Sequence, residues 1–169
     1  DDHRDVLAVA LELVEQLERL DRRGRGGDLA LVAEPGGELV AQRGLSRAIQ
    51  VESAGTHAPS PAQPPDRRAI DALLRRGYMP RKSRSVRITL GHFAEFDLIL
   101  AMDAVNLAEL RRICPAEHAY KLQLFLSYAP QSGRTDMPDP YYGSVAGFEV
   151  VLDLCEVGAV GLVGSCTER

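Results

Sequence analysis

From residue 49 onward, the sequence alternates between strand-like and helix-like segments. Residues 49–52 (IQVE) alternate apolar and polar side chains, and residues 96–102 (FDLILAM) form a dense apolar run. Both patterns are typical of β-strands, whereas residues 66–77 between them repeat apolar residues at helical spacing. The full predicted order is strand, helix, strand, helix, strand, loop, helix. Such an alternation predicts an open α/β fold, in which parallel strands are joined by right-handed helical crossovers.

The ends of the predicted helices follow from capping residues. Asp66 is the predicted N-cap of the first of these helices, and Gly77 is predicted to end it. Asp103 is the predicted N-cap of the next helix, directly after the strand at 96–102. The first helix is predicted to bury Ala69, Ile70, Leu73 and Leu74. The later elements are predicted to be a helix over 106–113, a strand over 121–126 and a helix over 148–157.

The order of these elements predicts where a functional site lies. Ligands of open α/β sheets bind outside the carboxyl ends of the strands. In this sequence those ends lead into Ser53, Asp103 and the loop that contains Asp139. These three positions are therefore the first candidates for catalytic or ligand-binding residues.

The first 44 residues are predicted to differ in character from the rest of a single domain that spans residues 1–169. Residues 5–20 carry apolar side chains at spacings of three and four, which predicts an amphipathic helix that docks on the sheet or on a second copy of the chain. Residues 29–32 (LALV) are the predicted first strand of the sheet. Residues 38–43 are a predicted short helix that Gly44 closes.

Composition narrows the possible functions. A formal net charge of −4 argues against a nucleic-acid partner held by electrostatics, and the sequence contains no run of eighteen apolar residues that predicts a membrane span. The cysteines and histidines do not show the spacing of a zinc site or of a disulfide framework. We therefore expect a cytoplasmic protein without metal or other cofactor and without nucleic-acid or membrane partners.

Four segments, taken in order, resemble the low-molecular-weight protein tyrosine phosphatase family. They are VESAGTH at 51–57, PPDRRAI at 64–70, FDLILAMD at 96–103 with Asn106-Leu107, and DPYYG at 139–143 with FEVV at 148–151. The resemblance covers about residues 45–158. It implies a four-stranded parallel sheet with helices on both faces, and hydrolysis of phosphotyrosine without a metal. The implied partner is a phosphotyrosine protein or a small aryl phosphate, bound by a monomer or weak homodimer.

The resemblance also assigns roles to side chains in the DPYYG segment. Asp139 matches the general acid that protonates the leaving phenolate, a step that requires a proton donor in line with the departing oxygen. Tyr141 and Tyr142 match the aromatic pair that flanks the phenyl ring of the substrate. Without the resemblance, the alternative interpretation is that Asp-Pro is a turn element and that the two tyrosines are half-buried loop residues.

Three further residues match supporting positions of the family. Ser53 matches a serine that braces the phosphate-binding loop by hydrogen bonding. Asp103 and Asn106 match the Met-Asp…Asn-Leu element that follows a central strand. Helix capping is an equally good explanation of Asp103 and Asn106.

The sequence departs from the family at the nucleophile. The family attacks phosphorus with the thiolate of a Cys-x5-Arg loop, but no cysteine precedes Ser53 here. Cys114 and Cys155 are followed six residues later by Tyr120 and Gly161 rather than by arginine. As written, the chain is expected to be inactive or nearly so. Three explanations of the missing loop are open: the chain is a degenerate phosphatase, the sequence is mis-read, or another chain supplies the loop. The alternative function is a non-catalytic module that binds phosphotyrosine or another protein.

Overall fold

A computed structural model describes residues 6–11, 39, 41–44, 51, 53–55, 67–78, 87–138 and 145–167. Its strands are β1 (Val6–Leu11), β2 (Leu98–Ala101) and β3 (Leu122–Leu124). Its α-helices include α1 (Arg67–Arg75), α2 (Leu90–Glu95), α3 (Ala104–Ile113) and α4 (Val145–Thr167). Short 3₁₀ helices span Ala116–Lys121, Phe125–Tyr128 and Pro130–Ser132.

The three described strands form a parallel sheet with β2 in the middle. Leu7 lies opposite Ile99 across the β1–β2 pair, and Ile99 lies opposite Leu122 across the β2–β3 pair. An isolated parallel bridge joins Gly55 to Arg87. The predicted class, an open parallel α/β sheet, is therefore confirmed. In the part of the chain that the structure describes, the sheet has three strands, of which β2 and β3 correspond to predicted strands.

Helices cover both faces of this sheet, as the alternation of β2 side chains shows. Ile99 and Ala101 belong to an apolar cluster with α2 and α3, whereas Leu100 and Met102 belong to a cluster with α1 and α4. Successive residues of a strand point to opposite faces, so each face of β2 is buried under a different pair of helices. This double burial explains why the β2 sequence is apolar throughout rather than alternating.

The predicted amphipathic helix over residues 5–20 is wrong at its amino end. Residues Val6–Leu11 form strand β1 instead and pair with β2. Their sequence, VLAVAL, is apolar at every position, as is typical of strands in parallel sheets. Strand β1 is the first strand of the described sheet, and the strand predicted at residues 29–32 stays a prediction. Residues 29–32 and 12–20 lie outside the described residues.

Most other predicted elements are present with shifted boundaries. Helix α1 ends before Gly77, whose φ of 82° is the left-handed conformation expected of a terminating glycine. Gly44 likewise has a φ of 69° and donates its N–H to the Ala41 carbonyl after a short helical segment. Asp66 lies outside the described residues, as do 49, 50 and 52 of the predicted strand at 49–52. The predicted strands at 96–102 and 121–126 shrink to β2 and β3.

Two of the four residues predicted for the buried face of α1 are not fully buried: Ile70 is partly buried and Leu74 is exposed. Leu74 was expected on the buried face of α1, but 49% of its surface is exposed, and Ala72 is buried instead. The reason is the position of α4, which packs against α1 on the side that carries Ala69, Ala72 and Leu73. Helix α4 is also longer at both ends than the predicted 148–157.

Candidate functional site

The candidate site begins where β2 ends and α3 starts. Met102 follows the last residue of β2, and Asp103 then adopts an extended backbone with φ −145° and ψ 176°. The Asp103 carboxylate accepts a hydrogen bond of 2.8 Å from the backbone N–H of Asn106. This is N-cap geometry, so the capping role predicted for Asp103 is confirmed. The cap also places Asp103 and Asn106 together at the carboxyl edge of the sheet.

Asn106 differs from the other polar residues of this edge because it is completely buried. None of its surface is exposed, and among the residues that the structure describes neither its side-chain nitrogen nor its side-chain oxygen has a hydrogen-bond partner. Each buried polar group without a partner costs about 1–3 kcal/mol of stability. Such groups are rare and are retained mainly where function or a further partner requires them. The burial of Asn106 therefore adds a reason to count it among the site residues.

A second segment, at residues 136–138, reaches the same edge from a distant part of the chain. The backbone N–H of Met137 donates to the Met102 carbonyl at 2.9 Å. One residue earlier, the Asp136 carboxylate accepts a hydrogen bond of 2.9 Å from the backbone N–H of Ala104, the first residue of α3. These two bonds hold the segment that leads to Asp139 against the end of β2.

The sequence reasoning missed Asp136. The available signal was a short acidic side chain three residues before Asp139, a residue type that often bonds backbone N–H groups at helix starts. Asp139, Tyr141 and Tyr142 lie outside the described residues, so their assigned roles stay predictions.

Ser53 belongs to a neighbouring part of the structure. It is half-buried and precedes Ala54, which is buried in the same apolar cluster as Leu107 of α3. Two residues after Ser53, the Gly55 carbonyl accepts a hydrogen bond of 2.9 Å from the backbone N–H of Ile88. The bracing role that the resemblance assigns to Ser53 stays a prediction.

Two of the cysteines are placed as structural residues. Cys155 lies on α4 with no exposed surface, and burial raises the pKa of its thiol. Cys114 is the C-cap of α3, at the end of that helix far from Asp103, and its Sγ lies 3.3 Å from the Pro115 carbonyl oxygen. Burial raises the pKa of Cys114 as well. Because the thiolate is the nucleophilic form, both environments disfavour reactivity.

The described residues contain no group of three or more histidine, cysteine, aspartate or glutamate side chains that could hold a metal ion. In the same part of the chain, no helix has the length and apolar character needed to cross a membrane.

A parallel sheet covered by helices on both faces, with its candidate site beside Asp103 at the carboxyl edge, defines an open α/β protein. Residues 36–169 match the model of the low molecular weight phosphotyrosine protein phosphatase family. The chain belongs to this family.

Individual relatives agree with this assignment. The chain is 35% identical over 134 residues to a low molecular weight protein-tyrosine-phosphatase of Streptomyces coelicolor, covering 77% of this chain and 80% of the relative. It is 36% identical over 124 residues to the human low molecular weight phosphotyrosine protein phosphatase, covering 70% and 75%. Among solved structures, a low molecular weight phosphotyrosine phosphatase of Vibrio cholerae superposes with a TM-score of 0.81 at 37% identity, covering 98% and 97% of the two chains.

Proposed function

We propose that this chain, as written, has the fold of a phosphotyrosine phosphatase but hydrolyses phosphotyrosine monoesters little or not at all. The observation that carries the proposal is the absence of any cysteine before Cys114 in the sequence, together with the placement of Cys114 and Cys155. A covalent nucleophile accounts for several orders of magnitude of rate, even where binding groups survive. Without the thiolate no phosphoryl-enzyme can form, so Asp139 has no leaving phenolate to protonate.

The test is hydrolysis of p-nitrophenyl phosphate by the purified chain, with the human relative assayed in parallel. We expect a rate at least about a thousandfold below that of the relative, because Asp139, Tyr141 and Tyr142 cannot replace the nucleophile. The Cys114→Ser and Cys155→Ser variants should leave this residual rate unchanged. A rate comparable with that of the relative would overturn the proposal, and its loss in Cys114→Ser would identify an unexpected nucleophile.

A second measurement separates a true loss of the loop from a mis-read sequence. Peptide mass spectrometry of the natural protein should recover peptides from residues 12–34 as written here. If the peptides instead contain a Cys-x5-Arg sequence, the natural protein has its nucleophile and the proposal of inactivity does not apply to it.

The second candidate function is a non-catalytic module that binds phosphotyrosine. It is supported by the two hydrogen bonds that tie residues 136 and 137 to the end of β2, since they hold in place the segment leading to Asp139, Tyr141 and Tyr142. Calorimetry with a phosphotyrosine peptide should give measurable heat, which Tyr141→Ala weakens. No binding at millimolar peptide would exclude this function.

A further inference from the structure

A cavity of about 300 Å³ lies between the start of α2 and the last turns of α3. This volume is at the lower end of the range found for small-molecule sites. The residues that α3 contributes to it, Glu109, Arg112 and Ile113, follow Asp103 by six to ten positions, which is about 9–15 Å along the helix axis. The cavity is therefore separate from the candidate site at the carboxyl edge of the sheet, and the proposed phosphatase chemistry does not account for it.

One side of the cavity is apolar. Ile88 and Phe93 are buried and belong to the apolar cluster that lies between the sheet, α2 and α3. Leu90, the first residue of α2, continues this wall towards solvent with 65% of its surface exposed. An apolar ligand group in the cavity would cover the exposed part of Leu90, and its removal from water would contribute to binding.

The other side of the cavity is basic, and Arg87 is its main feature. The Arg87 backbone is held by the parallel bridge to Gly55, beside the hydrogen bond of 2.9 Å from the Ile88 N–H to the Gly55 carbonyl. Its side chain is exposed and lines the cavity, and among the described residues its guanidinium group has no hydrogen bond or ion pair. Arg87 thus offers all its N–H donors from a fixed point of the backbone.

The second arginine of the cavity is already paired. Arg112 donates from Nε and Nη2 to Glu109 Oε2, at 3.2 and 2.9 Å. Its place in the last turn of α3 gives it a structural role as well, since a cation is favourable at a helix carboxyl end. Arg87 lies before α2 and has no such role. With Arg112 neutralised by Glu109, the cavity has one uncompensated positive charge, in a chain whose formal net charge is −4.

We propose that this cavity binds a small amphipathic monoanion, a carboxylate carried on an apolar group. Its carboxylate accepts hydrogen bonds from Arg87, since a guanidinium group matches the two oxygens of a carboxylate. Its apolar group lies against Leu90 and Phe93. A single negative charge fits the single uncompensated arginine, whereas a dianion would also face the Glu109 carboxylate. This site is independent of whether the chain hydrolyses phosphotyrosine.

The test is a titration of the full chain with phenylacetate, followed by NMR of the backbone amides. We expect saturable shifts at residues 87–93 and 109–113 with a dissociation constant in the millimolar range, as is usual for a ligand of this size. Acetate has the charge without the apolar group, and 2-phenylethanol has the apolar group without the charge. Each should bind at least about tenfold more weakly than phenylacetate.

Three variants locate the binding. Arg87→Ala should weaken it about tenfold through loss of the charge-assisted bonds, and Leu90→Ala about threefold through loss of apolar contact. Arg111→Ala is the matched control, because Arg111 is also exposed and changes the net charge equally but does not line the cavity. It should bind phenylacetate like the unchanged protein. All three side chains are exposed, so the variants should melt close to the unchanged protein.

Four results would overturn the proposal. They are the lack of saturable shifts at the cavity residues up to tens of millimolar phenylacetate, equal binding of acetate, equal binding of 2-phenylethanol, and equal weakening by Arg111→Ala and Arg87→Ala. The second would reveal a site for simple anions, the third an apolar cavity in which Arg87 has no part, and the fourth a general effect of net charge. Saturable binding that only Arg87→Ala and Leu90→Ala weaken supports the proposed site.

Discussion

The backbone carbonyl oxygen of Tyr128 occupies the space in which residue 161 would carry a β-carbon if it were any amino acid other than glycine. Helix α4 thereby makes backbone contact with the 3₁₀ turn Phe125–Tyr128 that follows β3. One turn earlier on α4, an ideal β-carbon at Gly158 would lie 2.5 Å from two ring atoms of Phe125. These two glycines allow the close packing that buries Phe125 between α4 and the sheet.

We expect Gly161→Ala to lower the free energy of unfolding by about 1–3 kcal/mol, since the added carbon must displace backbone atoms rather than a flexible side chain. Gly164→Ala is the matched control, because nothing lies within 4 Å of a β-carbon at that position of the same helix. Alanine should raise stability there by about 0.5–1 kcal/mol through its higher helix propensity. Urea denaturation measures both changes. Equal stability of Gly161→Ala and the unchanged protein would contradict the close contact.

A second prediction concerns the pH dependence of stability near Tyr78. The Tyr78 hydroxyl donates a hydrogen bond of 2.9 Å to Glu156 on α4, beside Arg76, which bonds the same carboxylate. Burial and the bond to Glu156 raise the pKa of Tyr78 to about 12. The unfolded chain has the ordinary tyrosine pKa of about 10. The stabilisation of the fold by the protonated Tyr78 hydroxyl is therefore complete below about pH 10, and it is lost as the pH rises from about 10 to 12.

Melting temperatures of the unchanged protein and of Tyr78→Phe, recorded from pH 8 to pH 12, test this dependence. The difference between the two proteins should shrink as the pH rises above about 10, since phenylalanine has no proton to lose. Absorbance titration at 295 nm should show one tyrosine fewer at high pH in the variant. Parallel melting curves across the whole range would show that Tyr78 does not titrate as expected.

A third prediction follows from the buried amide of Asn106. Because neither side-chain polar atom has a partner among the described residues, Asn106→Leu should raise the free energy of unfolding by about 1 kcal/mol or leave it unchanged. Asn106→Asp should lower it, since the substitution buries a carboxyl group in the same unpartnered position. Chemical denaturation compares the three proteins. A loss of more than about 1 kcal/mol in Asn106→Leu would mean that the amide has a partner in solution.

A fourth prediction tests strand β1. Deletion of residues 1–11 removes the β1 partner of β2 and exposes the backbone groups of one edge of Leu98–Ala101. We expect a lower melting temperature together with association of the truncated chains, because an unpaired strand edge is a template for further pairing. Deletion of residues 1–5 alone, which lie before β1, is the control and should leave both properties unchanged. Circular dichroism and size-exclusion chromatography measure the outcome, and an unchanged melting temperature for the longer deletion would contradict the pairing.

Some features of this protein were determined by the sequence itself, because they depend on neighbours a few residues away. Asp103 caps α3 because its carboxylate reaches an N–H only three residues later. Gly77 ends α1 because a left-handed residue is needed there, and glycine has no β-carbon to oppose it. The parallel arrangement of β2 and β3 also followed from the local alternation of elements. The family resemblance rested on such short ordered segments.

Other features depend on contacts between distant parts of the chain, and these were decided only by the tertiary structure. Residues 6–11 are compatible with a helix by apolar spacing, but pairing with β2 satisfies their backbone groups in the sheet. Leu74 and Ala72 both have apolar side chains, and the side of α1 on which α4 packs decides which is buried. The bond from Asp136 to Ala104 spans 32 residues, so no local pattern contains it. Local capping and periodicity act within one turn or one strand, whereas burial and long-range bonds exist only after the chain has folded.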